Sequence, residues 1–326
     1  MDGLFTLAID NLLSPIILFF GLGFLAAFAR SDLSVPEAVA KGMSLYLLFA
    51  IGFKGGASVA DHGIDGRLIA SLLAGTVLSF LIPFIAFALL RVMSNLSTVD
   101  AAAVAAHYGS ISIVTFVASS SVLGSAGLDP EGYMVAVAAV MEAPAILSAL
   151  WLAARSQGGG RMEAGLIQEI LLNGSIVLLV GSFLIGFVTG AEGLAMIAPF
   201  IVTPFNGVLC LFLLDMGLVA GRGLRSARGD LRPPLLAFGV IMPLIGAALG
   251  LVAGIMIGLS AGGVALLMTL SASASYIAVP AAMRVALPDA NPSIYLTLSL
   301  GVTFPFNLTI GIPLYLAIAG ALVAGG

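Results

Sequence analysis

Charge is scarce in this chain. Lysine, arginine, aspartate and glutamate together make up 9% of its 326 residues, against about a quarter in soluble domains. So few charges exclude an ordinary water-soluble surface. Cysteine occurs once, at Cys210, so no disulfide can form within the chain. The two histidines, His62 and His107, stand too far apart for a zinc motif, and no glycine loop ends in Lys-Ser or Lys-Thr to cradle a nucleotide. The sequence therefore predicts no enzyme chemistry, no cofactor, no metal centre and no nucleic-acid partner. With Asp2 and Asp10 and no basic stretch at its start, it also predicts no removable signal peptide.

What is abundant is apolar length. Hydrophobic residues reach 60%, mean hydropathy is +1.18 and there are 40 glycines. A helix needs about 20 apolar residues to cross a bilayer, and glycine suits tightly packed membrane helices. Ten spans fit the chain, at 12–30, 35–60, 67–92, 99–124, 131–155, 166–189, 197–221, 233–258, 262–286 and 292–322. The fold class is therefore all-α and integral to the membrane, with no soluble domain. Helix starts are marked by Ser14-Pro15, Val35-Pro36 and Arg232-Pro233-Pro234.

Positive residues set the orientation. Loops after odd-numbered spans carry Arg30, Arg91, Arg155, Arg161, Arg222, Arg225, Arg228, Arg232 and Arg284, whereas even loops carry Arg67, with Lys54 nearby. This places the odd loops in the cytoplasm and both termini on the non-cytoplasmic side of a cell (plasma or inner) membrane. The four arginines between 222 and 232 read as positive-inside anchoring rather than a site for a partner or anionic lipid.

The two halves resemble each other. Pro83 in Leu81–Ile85 recurs as Pro243 in Ile241–Ile245, Leu48–Gly52 recurs loosely as Leu211–Gly217, and Tyr133 with Pro144 recurs as Tyr295 with Pro305. Five spans per repeat force the second to insert upside down, a 5+5 inverted repeat suited to alternating access. The repeats run over 1–155 and 166–326, joined by a cytoplasmic linker at 156–165.

Spans four and nine are interrupted in matching places. One reads His107-Tyr108-Gly109-Ser110-Ile111-Ser112-Ile113-Val114-Thr115, the other Ser271-Ala272-Ser273-Ala274-Ser275-Tyr276-Ile277-Ala278-Val279-Pro280. Small polar residues with Gly109 or Pro280 can unwind a helix, and unwound backbone at membrane depth is tolerated only inside protein or beside a watery cavity. If the two breaks cross near the midplane, half-helix N-termini offer N–H groups to a small anion. Hydroxyls of Ser110, Ser112, Thr115, Ser273 and Ser275 add donors, and exposed carbonyls suit sodium. Taken singly, each serine also reads as a packing residue bonded to its own helix.

Ionisable residues within spans tend to be functional. Glu142, before Ala143-Pro144, is the strongest, as a sodium counter-charge, a proton carrier or a bond to freed backbone. Asn307 offers a carbonyl oxygen in span ten. Lys54 and Asp215, each in the second span of its repeat, are expected to form a structural or gating pair across the protein, and His107 reads as a satisfied neutral histidine rather than a proton shuttle.

At these residues the chain resembles the sodium-dependent bicarbonate permease family of SbtA-like transporters. The likeness rests on Ser14-Pro15, Val35–Ala38, Ile51–Gly56, Val99–Ala101, Gly109, Ser112, Thr115, Pro144-Ala145, Pro280, Arg284, Pro288, Ala290–Ser293, Tyr295, Pro305 and Ile312-Pro313. It implies a gate from spans 1, 2, 6 and 7 and a mobile core from spans 3–5 and 8–10. It also implies homotrimers and sodium-coupled bicarbonate symport by an elevator-like shift. The substrate residues it implies are Gly109, Ser112, Thr115, Ser273 and Ser275; Ser110 and Tyr276 at the same breaks complete the expected substrate site, and Glu142, Asn307, Ser112 and Ser273 form the expected sodium site. Relatives carry an acid where Tyr276 stands and an aspartate at the Glu142 position. They also bind a PII-like regulator, although the linker at 156–165 is short here. Two other readings are a sodium- or proton-coupled carrier of a small organic anion and a membrane sensor that binds without transport.

Overall fold

The computed structural model describes residues 13–63, 65–156, 174–226, 233–276, 279, 280, 282, 283 and 287–323. All but the first residue of the expected linker at 156–165, together with Arg161, Arg228, Arg232, Arg284, Ile277 and Ala278, lies outside the described residues. Every regular element among those described is helical. In chain order they are α1 Pro15–Phe28, α2 Glu37–His62, α3 Gly66–Met93, α4 Thr98–Gly109, α5 Ile113–Ser125, α6 Met134–Val140, α7 Pro144–Ser156, α8 Gly174–Ile201, α9 Phe205–Ser226, α10 Pro233–Ile257, α11 Ala261–Ala272 and α12 Pro292–Val323. Eight stretches are long and apolar enough to cross a membrane, one of them uniting α4 with α5 and another α6 with α7.

Local chemistry starts these helices where the sequence indicated. Ser14 caps α1 ahead of Pro15 by accepting from the Ile17 amide at 3.4 Å. Asp65 caps α3 through the Leu68 amide at 2.8 Å. Ser97 Oγ accepts from the Asp100 amide at 3.0 Å and donates to Asp100 Oδ2 at 2.6 Å, and Asp100 Oδ1 accepts from the Asn291 amide at 2.8 Å. A single acidic residue thereby ties the start of α4 to the start of α12.

Glycine sets how the long helices pack. α2 lies against α8 and α1 against α9. A Cβ on Gly52 or Gly56 would run into the α8 backbone at Leu179 O or Phe183 O, and one on Gly217 or Gly221 into α1 at Phe20 O or Phe24 O. The Gly-x-x-x-Gly pair of α2 thus recurs in α9, letting backbones approach where packing, not water, drives association. Gly56→Leu is expected to separate α2 from α8, destabilising the protein by about 3 kcal/mol. Thermal unfolding of the purified protein checks this, and an unchanged transition would show that the pair does not depend on close approach.

The proline pair of α3 and α10 is accommodated rather than breaking either helix. Pro243 has no N–H for the carbonyl four residues back, Gly239 O. That carbonyl instead accepts from Thr303 Oγ1 at 2.7 Å, and Thr303 Oγ1 in turn lies 2.7 Å from the Tyr108 hydroxyl. Thr303 belongs to one of two π-helical stretches in α12, Thr297–Thr303 and Asn307–Gly311.

Two span boundaries differ from expectation. The spans expected at 166–189 and 197–221 are the helices α8 and α9, with residues 174–201 helical on both sides of a bend at Gly190. Gly190 takes φ 58°, ψ −150°, which glycine adopts without a Cβ clash, so the chain bends there and re-enters helix instead of looping out. The span expected whole at 131–155 is broken at Met141–Ala143. Pro144 disfavours helical geometry in the residue before it, and the freed Met141 carbonyl accepts from Ser79 Oγ at 2.6 Å.

The protein's surface is an apolar one. Leu25, Leu73, Val188, Met196, Val252 and Met256 are all more than half exposed, as lipid-facing side chains are. By contrast every residue from Ala101 to Ser119 is buried, as is every residue from Gly262 to Tyr276. The interrupted spans form the centre, shielded from lipid by the others.

Candidate functional site

α4 and α11 are both 12 residues long. At 1.5 Å per residue each reaches about 18 Å, roughly the middle of a 30 Å hydrocarbon layer. There both chains leave the helix. Ser110 (φ −88°, ψ 144°) and Ser112 (φ −102°, ψ 110°) are extended, as is Ser273 (φ −80°, ψ 160°). Helix resumes at Ile113 in the first case, and Val279 and Pro280 are helical in the second.

The two breaks bond to each other. Ser275 N–H donates to His107 O at 2.7 Å, and Ser112 N–H donates to Ser273 Oγ at 2.9 Å. Ser273 Oγ donates in turn to Leu270 O at 2.8 Å, closing one of the carbonyls left open at the end of α11. Asn307 secures the next: its Nδ2 donates to Ala272 O at 2.9 Å, and its Oδ1 accepts from the Tyr315 hydroxyl at 3.0 Å. The crossing therefore consumes two of the backbone donors that the breaks offer.

What it leaves is the N-terminus of α5. Ser112 caps it, its Oγ accepting from Thr115 N at 3.2 Å and from Thr115 Oγ1 at 2.9 Å. The amides of Ile113 and Val114, first and second in the helix, have no carbonyl one turn back. Beside them lies a small cavity lined by Leu48, Ile111, Ser112, Ile113, Glu142, Ser275 and Tyr276. Its volume of about 10 Å³ is room for the centre of one water-sized particle. Two polar atoms in its wall, Glu142 Oε2 and the Tyr276 hydroxyl, are buried and meet no hydrogen-bond partner from the protein. A buried carboxylate in that condition is costly unless a cation or a proton joins it.

Of the residues expected at the site, Ser112, Ser275, Tyr276 and Glu142 come together in this one wall. Thr115 and Ser273 stand behind it, bonded to Ser112. Gly109 faces away, where a Cβ would strike the ring of Pro83 and crowd Ala145. Ser110 Oγ is buried without a protein partner, and Asn307 is engaged at the end of α11. His107 is buried and bonded through Nδ1 to Ala103 O at 2.6 Å, its ring stacked on Tyr295.

The pairing expected of Lys54 with Asp215 is not formed. The Lys54 ammonium lies 5.1 Å from the ring centroid of Phe205, while Asp215 is buried on α9. Leu48, Ile111 and Ile113 complete the cavity without any sequence signal, being apolar residues among many. Two larger openings lie at the two ends of α9. One of about 410 Å³ includes Lys54, Ser58, Pro130, Glu131 and Phe205. The other, of about 540 Å³, includes Arg222, Arg225, Pro292, Ser293 and Thr297.

The family model of the Na+-dependent bicarbonate transporter superfamily matches residues 15–320. No curated protein matches the chain.

Proposed function

Because the chain belongs to the Na+-dependent bicarbonate transporter superfamily, it is a multi-pass membrane transporter and not an enzyme, and we propose that it carries bicarbonate together with sodium by elevator-like alternating access. The observation that carries this reading is the cavity where the N-terminus of α5, the hydroxyls of Ser112, Ser275 and Tyr276, and the unpartnered Glu142 carboxylate meet. The helix end and hydroxyls suit an anion, and the carboxylate suits a cation. Gly109, Ser110 and Thr115 shape the first break from behind the cavity wall. Sodium sits with Glu142 and Ser112, and Ser273 and Asn307 hold the crossing backbone beside it.

Coupling has an energetic reason. Moving one charge against 100 mV costs about 2.3 kcal/mol, so an anion entering an inside-negative cell needs a companion cation to offset it. Tyr276, in the position of the relatives' acid, supplies a hydroxyl to the anion and leaves the negative charge to Glu142.

The packing pattern supports ten spans in a five-plus-five inverted repeat. α1 with α9 and α2 with α8 are the same pair when spans one and two exchange with six and seven, and α3 with α4 corresponds to α10 with α11. α1, α2, α8 and α9 make the gate, and α3–α7 with α10–α12 make the core. The two openings follow the same rule: Lys54, Gly55 and Ser58 in one correspond to Val219, Ala220 and Gly223 in the other, and Pro130 to Pro292. Leu48 of the gate closes the cavity against Ile111 and Ile113 of the core, so sliding the core past Leu48 admits an anion larger than water. We place the protein in the cell membrane as a homotrimer with both termini outside, on its positive-residue distribution and its family.

A thermal-shift panel of small anions, each with and without sodium, tests the cargo. Bicarbonate is expected to raise the unfolding temperature, and more so with sodium present. Stabilisation by a small carboxylate but not by bicarbonate would reassign the cargo to organic anions.

A further inference from the structure

The 410 Å³ opening carries a charge that the central cavity does not use. It ends one helical turn from that cavity. Ile51 and Phe116 line the opening, and Leu48 and Ile113, three residues earlier on the same helices, line the cavity. Any particle leaving the cavity along α2 and α5 passes through it.

Two charged side chains border this vestibule, Lys54 and Glu131. The carboxylate is already engaged. Glu131 Oε1 accepts from Ser260 N–H at 2.7 Å and Oε2 from Ser260 Oγ at 3.2 Å, which fixes it against the start of α11. Lys54 is exposed, and its ammonium lies over the Phe205 ring. A ring face orients an ammonium without cancelling its charge. Ser120 and Asn206 line the same space and add polar groups. Glu131 keeps its own charge but is held by Ser260 at the α11 end of the opening, so beside Phe205 and Asn206 the low-dielectric walls focus the field of the Lys54 ammonium and raise the local concentration of anions.

We propose that Lys54 is an anion-capturing residue, forming with Ser120 and Asn206 a first binding subsite for a small oxyanion before it enters the central cavity. The proposal rests on reading that cavity as an anion site. A lysine suits the task because its hydrated point charge attracts an anion without the two-point grip of a guanidinium, so the ion moves on. The subsite lies in the gap between gate and core helices, where capture commits an anion to the path through the crossing.

The test reads local charge at a reporter thiol, independently of transport. In a Cys210→Ser background, Ser121→Cys in proteoliposomes is labelled with an anionic and with a cationic methanethiosulfonate, and the ratio of the two rates is measured. Lys54→Gln is expected to lower the anionic-to-cationic ratio about tenfold, since opposite reagent charges each feel the loss of a unit charge a few ångströms away. Lys54→Arg is expected to preserve the ratio, and bicarbonate to slow anionic labelling only where the positive charge is present. A ratio that stays within about twofold in Lys54→Gln, with the thermal transition intact, overturns the proposal. Its failure is separable from that of the cargo reading. If the ratio falls and nitrate protects the thiol but bicarbonate does not, capture stands and the bicarbonate reading falls. If the ratio is unchanged while sodium still drives bicarbonate uptake, transport stands and capture falls.

Discussion

Glu142→Gln is expected to remove sodium's effect on anion binding while leaving the fold intact. Glutamine keeps the shape of the side chain and removes its charge. The carboxylate sits at the bend before Pro144, buried, with Oε2 facing no protein donor. No bond within the protein is therefore lost with that oxygen. What is lost is the charge that a buried cation needs, about 2 kcal/mol for an interaction with a charged group, or some thirtyfold in sodium affinity. Sodium titrations followed by thermal unfolding, at fixed bicarbonate, measure this directly. The variant is also expected to lose the reciprocal effect of bicarbonate on sodium affinity, since coupling between two bound ligands works equally in both directions. An unchanged sodium affinity would assign Glu142 to holding the bend rather than to the ion.

The second large effect is expected from Ser112→Ala combined with Ser275→Ala. Both hydroxyls line the cavity, and each bond to a charged ligand is worth about 1.5–3 kcal/mol, so anion affinity should fall at least a hundredfold. Ser112 also caps α5 through Thr115, and losing such a cap costs about 1 kcal/mol of stability. Ser275→Ala alone separates the two consequences. It leaves the cap in place and leaves the crossing bond intact, because that bond uses the Ser275 backbone N–H. It should lower anion affinity about tenfold with the unfolding temperature unchanged. Full affinity in the double variant would remove these hydroxyls from the site and leave the α5 amides alone as donors.

The breaks were legible in the sequence because their causes are local. Gly109 followed by Ser110 and Ser112, and the serine run before Pro280, lower the cost of leaving the helix at those residues and nowhere else in their spans. The helix starts at Ser14, Pro36 and Pro233 are local for the same reason. The bend at Gly190 was not legible, since a glycine in an apolar run is equally at home inside a packed helix. Long-range neighbours were hidden more deeply. Nothing about position 142 announces position 276, yet the structure puts both in one cavity wall. Nothing in Ser112 or Ser275 says that their N–H groups will be spent on the opposite break, which leaves the Ile113 amide and the side chains as the donors that face the cavity. Lys54 and Asp215 look like partners because each is a lone charge in an equivalent span. Packing instead gives Lys54 a ring and an open vestibule.

Under the proposed sodium coupling, the geometry also gives a reason for two ions to move together. In this conformation the cavity admits one water-sized particle, so on that reading an anion enters only when Leu48 and the α5 terminus separate. A helix end and a carboxylate facing one space repel each other's wrong ligand. On that reading sodium neutralises the Glu142 carboxylate, whereas an anion alone adds a second buried negative charge beside it, so the core carries the anion past the gate at lower electrostatic cost when the cation is bound.

The most direct measurement is uptake of labelled bicarbonate into proteoliposomes holding the purified protein, at fixed pH and clamped membrane potential, with a sodium gradient imposed or absent. Accumulation above equilibrium that requires the inward sodium gradient, and that disappears with Glu142→Gln, is the predicted result. Equal bicarbonate entry with and without sodium, or none in either case, would contradict sodium-coupled bicarbonate transport at this site.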